Sequence, residues 1–266
     1  MQQALDFRAE SEALDLLLSS CNDATFARPT QFKNWSIGDI IGHLHMFNFA
    51  ARLSLEAPHE FPAFAKPVHK GLVAGRSMMD MQAEWLDGLS GSRLFDTWRL
   101  EYLKTADAFA HIDPKARLKW IGPDMSARSS ITARQMETWA HGQAVFDVLG
   151  TVRQDTDRIR NIAHLGVATF GWTFTNRRQP VPDPMPFVAL TAPSGAIWTR
   201  GEDQEKDRVS GSAVGFCQIV AQTRNVADTD IVAVGDTARH WMKIAQCFAG
   251  PPHDPPRAGQ RFMATK

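Results

Sequence analysis

Two side chains near the middle of the chain have the right types and spacing to hold a metal ion. In Met136-Glu137-Thr138-Trp139-Ala140-His141, a carboxylate and an imidazole stand four residues apart. On a helix that spacing stacks both groups on one face, about one turn apart. Val145 and Val148 continue the face at the next turns, so the polar pair points where an apolar stripe points. An unpartnered carboxylate is costly to bury there, and a divalent metal ion taking both groups as ligands removes the conflict. A third ligand has to come from a facing helix. His43 and His45, in Gly42-His43-Leu44-His45, are the candidates. Two residues apart, they point in nearly opposite directions on a helix. Ile40, His43 and Phe47 share a face, which gives His43 the inward direction and turns His45 to the outside or to a neighbouring surface. The competing reading is plain: a Glu and a His four apart also occur as a solvated pair, and a lone inward His is often a satisfied core residue.

The elements that must carry these residues can be read from periodicity and punctuation. Residues 4–20 form an amphipathic pattern with Ala4, Leu5, Ala9, Ala13, Leu16 and Leu17 near one face. Ser36 is the N-cap of the next helix, with Asp39 as its capping-box partner, and that helix ends before Pro58. Pro58, Pro62 and Pro67 predict a connection without regular helix over 58–70. Helices follow over about 71–87 and 92–112. A last one carries ITARQMETWAHGQAVFDVLG and stops at Gly150. The first part of the chain, 1–155, therefore reads as an antiparallel four-helix bundle.

Residues 156–250 change character. One helix is predicted over 158–176, followed by a proline-punctuated stretch. FVALTAP and AIWTRG form a hairpin about Ser194-Gly195, DRVSGS a third strand, and AVGFCQIVAQ and TARHWMKIAQCFAG two helices. This is a small α+β domain. The tail 251–266 is Pro-rich, polar and predicted to be poorly ordered.

Composition narrows the function. Lys plus Arg and Asp plus Glu are 29 each, for a net charge of zero and a pI near 7.1. No global field or basic stripe draws the chain to nucleic acid or to an anionic membrane. No apolar run is long enough to span a bilayer, and the first twenty residues lack a signal-peptide core. Cys21, Cys217 and Cys247 are odd in number and far apart, which fits buried thiols in the cytoplasm.

The run from Trp35 to Leu44 resembles the first ligand helix of the DinB-like superfamily. More closely, it is similar to the metal-binding domain of the mycothiol-dependent maleylpyruvate isomerase family, where a Trp-Ser/Thr-x-x-Asp start leads to a ligand His followed by Leu. Thr132 to Gln143 resembles the second ligand helix, with its Glu-x-x-x-His pair. The resemblance covers roughly residues 5–150 and implies His43, Glu137 and His141 as ligands. The second half is similar only in outline to the family's C-terminal domain, which resembles sterol carrier proteins. Many relatives carry an Asp three residues after the second ligand His. Ala144 stands there in this chain, implying different outer contacts.

Three His and Glu ligands leave a coordination position open, as in catalytic zinc sites; nickel and iron also suit two imidazoles and a carboxylate. The resemblance thus implies an enzyme, an isomerase or thiol transferase, that delivers a low-molecular-weight thiol to a small electrophile. It also implies that Arg224, in the second domain, binds a substrate carboxylate; a solvated surface arginine is the alternative. The rival functions are a non-catalytic metal- or small-ligand-binding module and an RNA-modifying role, which the neutral pI disfavours. A homodimer is compatible with bundles of this kind.

Overall fold

The structure is a computed structural model, and it describes residues 1–264. The chain divides into two compact units, Met1–Val148 and Leu149–Lys266.

The first unit is helical: α1 (Gln2–Leu18), α2 (Asp23–Phe26), α3 (Ile37–Glu56), α4 (Phe61–Val73), α5 (Met78–Leu86), α6 (Gly91–Ala110) and α7 (Ala127–Val148). A short antiparallel ribbon, β1 (Arg117–Leu118) with β2 (Met125–Ser126), leads into α7. The long helices α1, α3, α6 and α7 make the core. Both α1 and α3 pack against α6 and α7. Phe7, Leu14, Leu18, Ile37, Ile40, Ile41, Trp98, Phe109 and Trp139 are sealed from solvent between them. Each such side chain contributes on the order of 1.5–3 kcal/mol from its burial.

Two expectations for this unit are corrected. Residues 58–70 are not an irregular connection, because α4 runs through them with Pro62 in its first turn and Pro67 inside it. Pro is tolerated in the first turn, where its missing N–H has no intrahelical acceptor anyway. The core face of α1 is also not the one expected. Ala4, Phe7, Ser11, Leu14 and Leu18 face inward, while Leu5 and Leu16 are exposed. Leucines lie all round α1, so the sequence offers two stripes, and Phe7 decides for the one that contains Ser11 and Glu10. The Ser11 hydroxyl satisfies itself by donating to Phe7 O at 3.0 Å.

The second unit opens with a 3-10 turn (Asp157–Ile159), α8 (Arg160–Ala168) and α9 (Phe170–Asn176). The single helix expected over 158–176 is broken at Thr169, whose hydroxyl bonds back to Leu165 O. A four-stranded mixed sheet follows, in the order β4-β3-β5-β6: β3 (Phe187–Thr191), β4 (Ile197–Arg200), β5 (Arg208–Ser212) and β6 (Val232–Val234). The β3–β4 hairpin turns at Ser194-Gly195, with Gly195 at φ 86°, and β5 pairs parallel to β3. Strand β6, three residues long, was not expected. Helices α10 (Ala213–Val220) and α11 (Asp236–Ile244) complete the unit. Phe216 and Trp241, one from each helix, are fully buried.

Among the described residues after Pro251 there is no regular element, but polar contacts join the segment to the rest of the second unit. Arg177 pairs with Asp254 at 2.9 Å, Gln222 Nε2 donates to His253 O at 2.8 Å, and Asn225 Nδ2 donates to Pro256 O at 2.8 Å. Its polar backbone finds partners on the second unit, which its composition alone did not reveal.

Candidate metal centre

The site is built on α3 and α7, and each helix begins with a local device that fixes it. At α3 the Ser36 hydroxyl accepts the Asp39 N–H at 3.0 Å while the Asp39 carboxylate accepts the Ser36 N–H at 2.8 Å. This reciprocal capping box satisfies two otherwise orphaned donors. Just before it, Lys33 and Asn34 take left-handed backbone angles (φ 50° and 60°), and an isolated bridge joins Pro29 to Ser36. The resulting tight loop projects Phe32 and Trp35 over the two ligand helices. At α7 the Ser126 hydroxyl accepts the Ser129 N–H at 3.1 Å, directly after the β1–β2 ribbon.

From these starts His43, Glu137 and His141 converge. Glu137 Oε2 lies 2.9 Å from His141 Nε2 and 3.5 Å from His43 Nε2. One donor atom from each residue falls within 4.8 Å of the others, and among the described residues no other histidine, cysteine or acidic group joins the set. The side chains of both histidines retain 11% exposure and that of Glu137 21%, so the cluster is recessed and reachable.

Aromatic rings wall the cluster. Trp35 stacks on His141, with planes 6° apart and centroids 5.9 Å apart, and also meets His43 at 5.4 Å. Phe32 meets His141 edge-on at 4.8 Å, and Phe47 meets His43 at 4.8 Å. Such walls lower the local dielectric and strengthen charge interactions inside. Burial pushes Glu137 upward, but the hydrogen bonds to His141 and His43 outweigh it and hold the carboxyl well below its ordinary range. Burial dominates at His43 and lowers it to about 4 despite the opposing bond to Glu137. The resting charge pattern is thus a carboxylate facing a neutral His43 imidazole, the ionisation state that a metal ligand needs.

The donor set fits a divalent metal. Two imidazole nitrogens and one carboxylate oxygen are the ligands of open zinc sites and of related nickel and iron sites. The Nδ1 atoms of His43 and His141 are buried without a hydrogen-bond partner among the described residues. Metal-binding imidazoles usually donate that second nitrogen to an acceptor. Ala144, one turn beyond His141 and buried, supplies no acceptor.

The remaining predicted residues fall elsewhere. Arg224 belongs to the second unit, half-buried, with Nη1 donating to Thr223 O at 3.0 Å. Of the two directions open to His45, the structure takes the neighbouring surface. It is 6% exposed, packed against Trp85 at 5.1 Å, and burial lowers its pKa. Helix α3 is buried over most of its circumference, which leaves His45 a protein neighbour and not solvent. Arg134, three residues before Glu137, is 5% exposed, with its guanidinium over the rings of Phe47 and Trp120. Its burial was unreadable because a long charged side chain defaults to the surface. The position three residues before Glu137, on the inward face, was the available signal. Phe32 and the stacking role of Trp35 were likewise missed.

An α-helical unit with a His, Glu, His cluster between two helices that could hold a metal ion, followed in sequence by a small α+β unit, defines the class of fold. Residues 7–146, more than half of the chain, match the mycothiol maleylpyruvate isomerase N-terminal domain. The chain belongs to this family. An uncharacterized protein of Mycobacterium tuberculosis, in strain CDC 1551 / Oshkosh and again in strain ATCC 25618 / H37Rv, is 39% identical over 248 residues, covering 93% of this chain and 95% of that one. Among solved structures, the mycothiol-dependent maleylpyruvate isomerase has the same fold, with a TM-score of 0.53 at 16% identity over 87% of this chain and 91% of that one. A histidine-to-alanine mutant of that enzyme superposes with a TM-score of 0.52 at the same identity and coverage.

Proposed function

We propose that this chain is a metal-dependent enzyme that delivers a low-molecular-weight thiol of the mycothiol type to a small electrophilic substrate, as an isomerase or a thiol transferase. The observation that carries the reading is the convergence of His43 Nε2, Glu137 Oε2 and His141 Nε2 in a recessed, aromatic-walled site. The family match adds the thiol: the solved relative is, by its description, mycothiol-dependent.

His43, Glu137 and His141 would hold the metal, with zinc as first choice. A divalent metal in such a site supplies Lewis acidity, which draws the proton from a coordinated thiol near neutral pH. The chain's own residues prepare the ground. Glu137 stays ionised and offers its carboxylate. His43 stays neutral, with its lone pair free for ligation. Phe32, Trp35 and Phe47 exclude bulk water, which keeps a nucleophilic sulfur poorly solvated and reactive. The three cysteines are not rivals for this role: none belongs to the cluster, and burial holds the Cys217 thiol well above its usual range. Arg224 remains our candidate for a substrate carboxylate from the second unit. In that unit, the mixed sheet with two helices supports the likeness to sterol carrier proteins. In the first, the packing of α1, α3, α6 and α7 supports an antiparallel four-helix bundle.

A non-catalytic metal module would close the fourth position with another protein ligand. Three donors and no fourth among the described residues favour the open, catalytic arrangement.

The test is metal content by elemental analysis, in the wild type and in His43→Ala and His141→Ala. About one metal per chain, lost in both variants, is expected. Turnover of thiol and electrophile pairs should follow the metal. A wild type that binds no metal on titration overturns the reading.

A further inference from the structure

The most unusual charged group outside the three donors is Arg134. Arginine is rarely buried without an acceptor, because an uncompensated charge costs several kcal/mol in the interior. Arg134 is 5% exposed, it forms no ion pair, and its Nη1 is buried without a hydrogen-bond partner among the described residues. Its guanidinium is instead held by two π faces, with Cζ 5.6 Å from the Phe47 centroid and 5.5 Å from that of Trp120. Cation–π contacts orient a guanidinium but leave its in-plane N–H donors unused.

Its placement ties it to the cluster. Arg134, Glu137 and His141 stand at i, i+3 and i+7 on α7 and share a face. Phe47 meets both the His43 ring, at 4.8 Å between centroids, and the Arg134 guanidinium, at 5.6 Å, so one ring contacts the cation and a candidate ligand imidazole. Arg134 is close enough to act electrostatically on both Glu137 and His43. Its cover, Trp120, comes from the loop between β1 and β2 that also holds Gly122 and Pro123.

Charge balance names the missing partner. A divalent metal, one guanidinium and one carboxylate, with neutral imidazoles, leave two net positive charges in a largely dry site. A thiolate cancels one of them. The other calls for one more anion, and the planar fork of a guanidinium is matched by a carboxylate.

We propose that Arg134 is a specificity-determining residue that binds a carboxylate group of the electrophilic substrate beside the metal centre. This rests on the reading of the site as a metal-dependent thiol enzyme. It makes the substrate an anion gripped from the helical unit itself, independently of Arg224.

The test titrates metal-loaded and chelator-treated protein with propionate and with its uncharged isostere propionamide, following melting temperature and tryptophan emission. Metal is counted in every sample. Propionate, and not propionamide, is expected to raise the melting temperature and change the emission. Arg134→Met is expected to hold wild-type metal, to melt no lower, and to bind propionate at least tenfold more weakly. Arg134→Lys should fall between. A melting temperature that does not fall separates ligand binding from a packing role, because removing an unpaired buried charge does not weaken a core. Equal responses to propionate and propionamide overturn the proposal, as does unchanged propionate affinity in Arg134→Met. A variant that melts lower in parallel with its weaker binding assigns Arg134 to packing and overturns it too. If Arg134→Met does not fold, Arg134→Lys decides by its propionate affinity. Wild type without metal counts against the metal reading alone, because dependence on Arg134 is also measured in the chelator-treated protein.

Discussion

The indole of Trp35 lies parallel to the imidazole of His141, 6° from coplanar with 5.9 Å between ring centroids, although the two residues are 106 positions apart in the sequence. The stack fixes the plane of a candidate ligand ring and therefore the direction in which its Nε2 points. The same indole meets His43, so one side chain packs against candidate ligands on two helices.

Trp35→Ala should therefore weaken metal binding without abolishing it. Aromatic pairs are worth about 0.5–1.5 kcal/mol beyond their buried area, which corresponds to at most about a tenfold loss of affinity. Trp35→Phe should keep most of it. Zinc titration against a competing chelator measures the difference. Equal affinity in Trp35→Ala and wild type would show that the ring only covers the site.

The capping box at the start of α3 stands one residue after Trp35 and seven before His43. Ser36→Ala removes an acceptor for the Asp39 N–H and half of a reciprocal pair. A loss of about 1 kcal/mol is expected, or roughly 2–4 °C in melting temperature for a unit of this size. One metal per chain should remain, because the later turns of α3 are held by the core. Calorimetry with elemental analysis separates the two effects.

Much of this arrangement was legible because it rests on local rules. Ser36 and Asp39 announce a helix start, Glu137 and His141 sit at helical spacing, and Ser194-Gly195 marks a turn between β-prone runs. Hidden features depend on what packs against a segment. The three prolines between 58 and 67 read as breakers, yet two of them are accommodated within α4. The leucines of α1 do not select a face until Phe7 does. Spacing leaves His45 a choice between solvent and a neighbouring surface and gives Arg134 no aromatic partner, and the fold places both against aromatic rings. The family motif brought His43, Glu137 and His141 together as candidates because it lies on the local side of that division.

Gly42 precedes His43 at a point where α3 and α5 touch. A Cβ there would lie 2.7 Å from Gln82 Nε2 and 2.8 Å from Leu86 Cδ1. Gln82 Nε2 donates to Asp39 O at 2.9 Å, so it is not free to swing away without losing that bond. Gly42→Ala gains helix propensity, by about 1 kcal/mol, but overpacks the contact at a cost of about 1–3 kcal/mol. The net expectation is a modest destabilisation. Denaturant unfolding should show a lower midpoint at unchanged slope. A stabilised variant would mean that α5 yields freely.

Acid should loosen the metal-free protein in a window set by His43. Its pKa is about 4 in the fold against an ordinary 6.5, because burial disfavours the charged ring. Between those values the unfolded chain binds the proton and the folded chain does not, so stability rises with pH across the window. The contribution is fully present above about pH 6.5 and is lost as pH falls toward 4. Glu137 acts in the same direction at lower pH, since it too is held below its ordinary 4.5. The His43 difference corresponds to about 3 kcal/mol at about 1.4 kcal/mol for each pH unit. Bound metal opposes the loss until protons compete for the same nitrogens, and metal release should then fall in the same acid range. Chemical denaturation of metal-free protein at a series of pH values measures the slope, with His43→Gln as the control that should flatten it. A variant with the wild-type slope would assign the acid sensitivity to other groups and show that His43 is not held neutral by its surroundings.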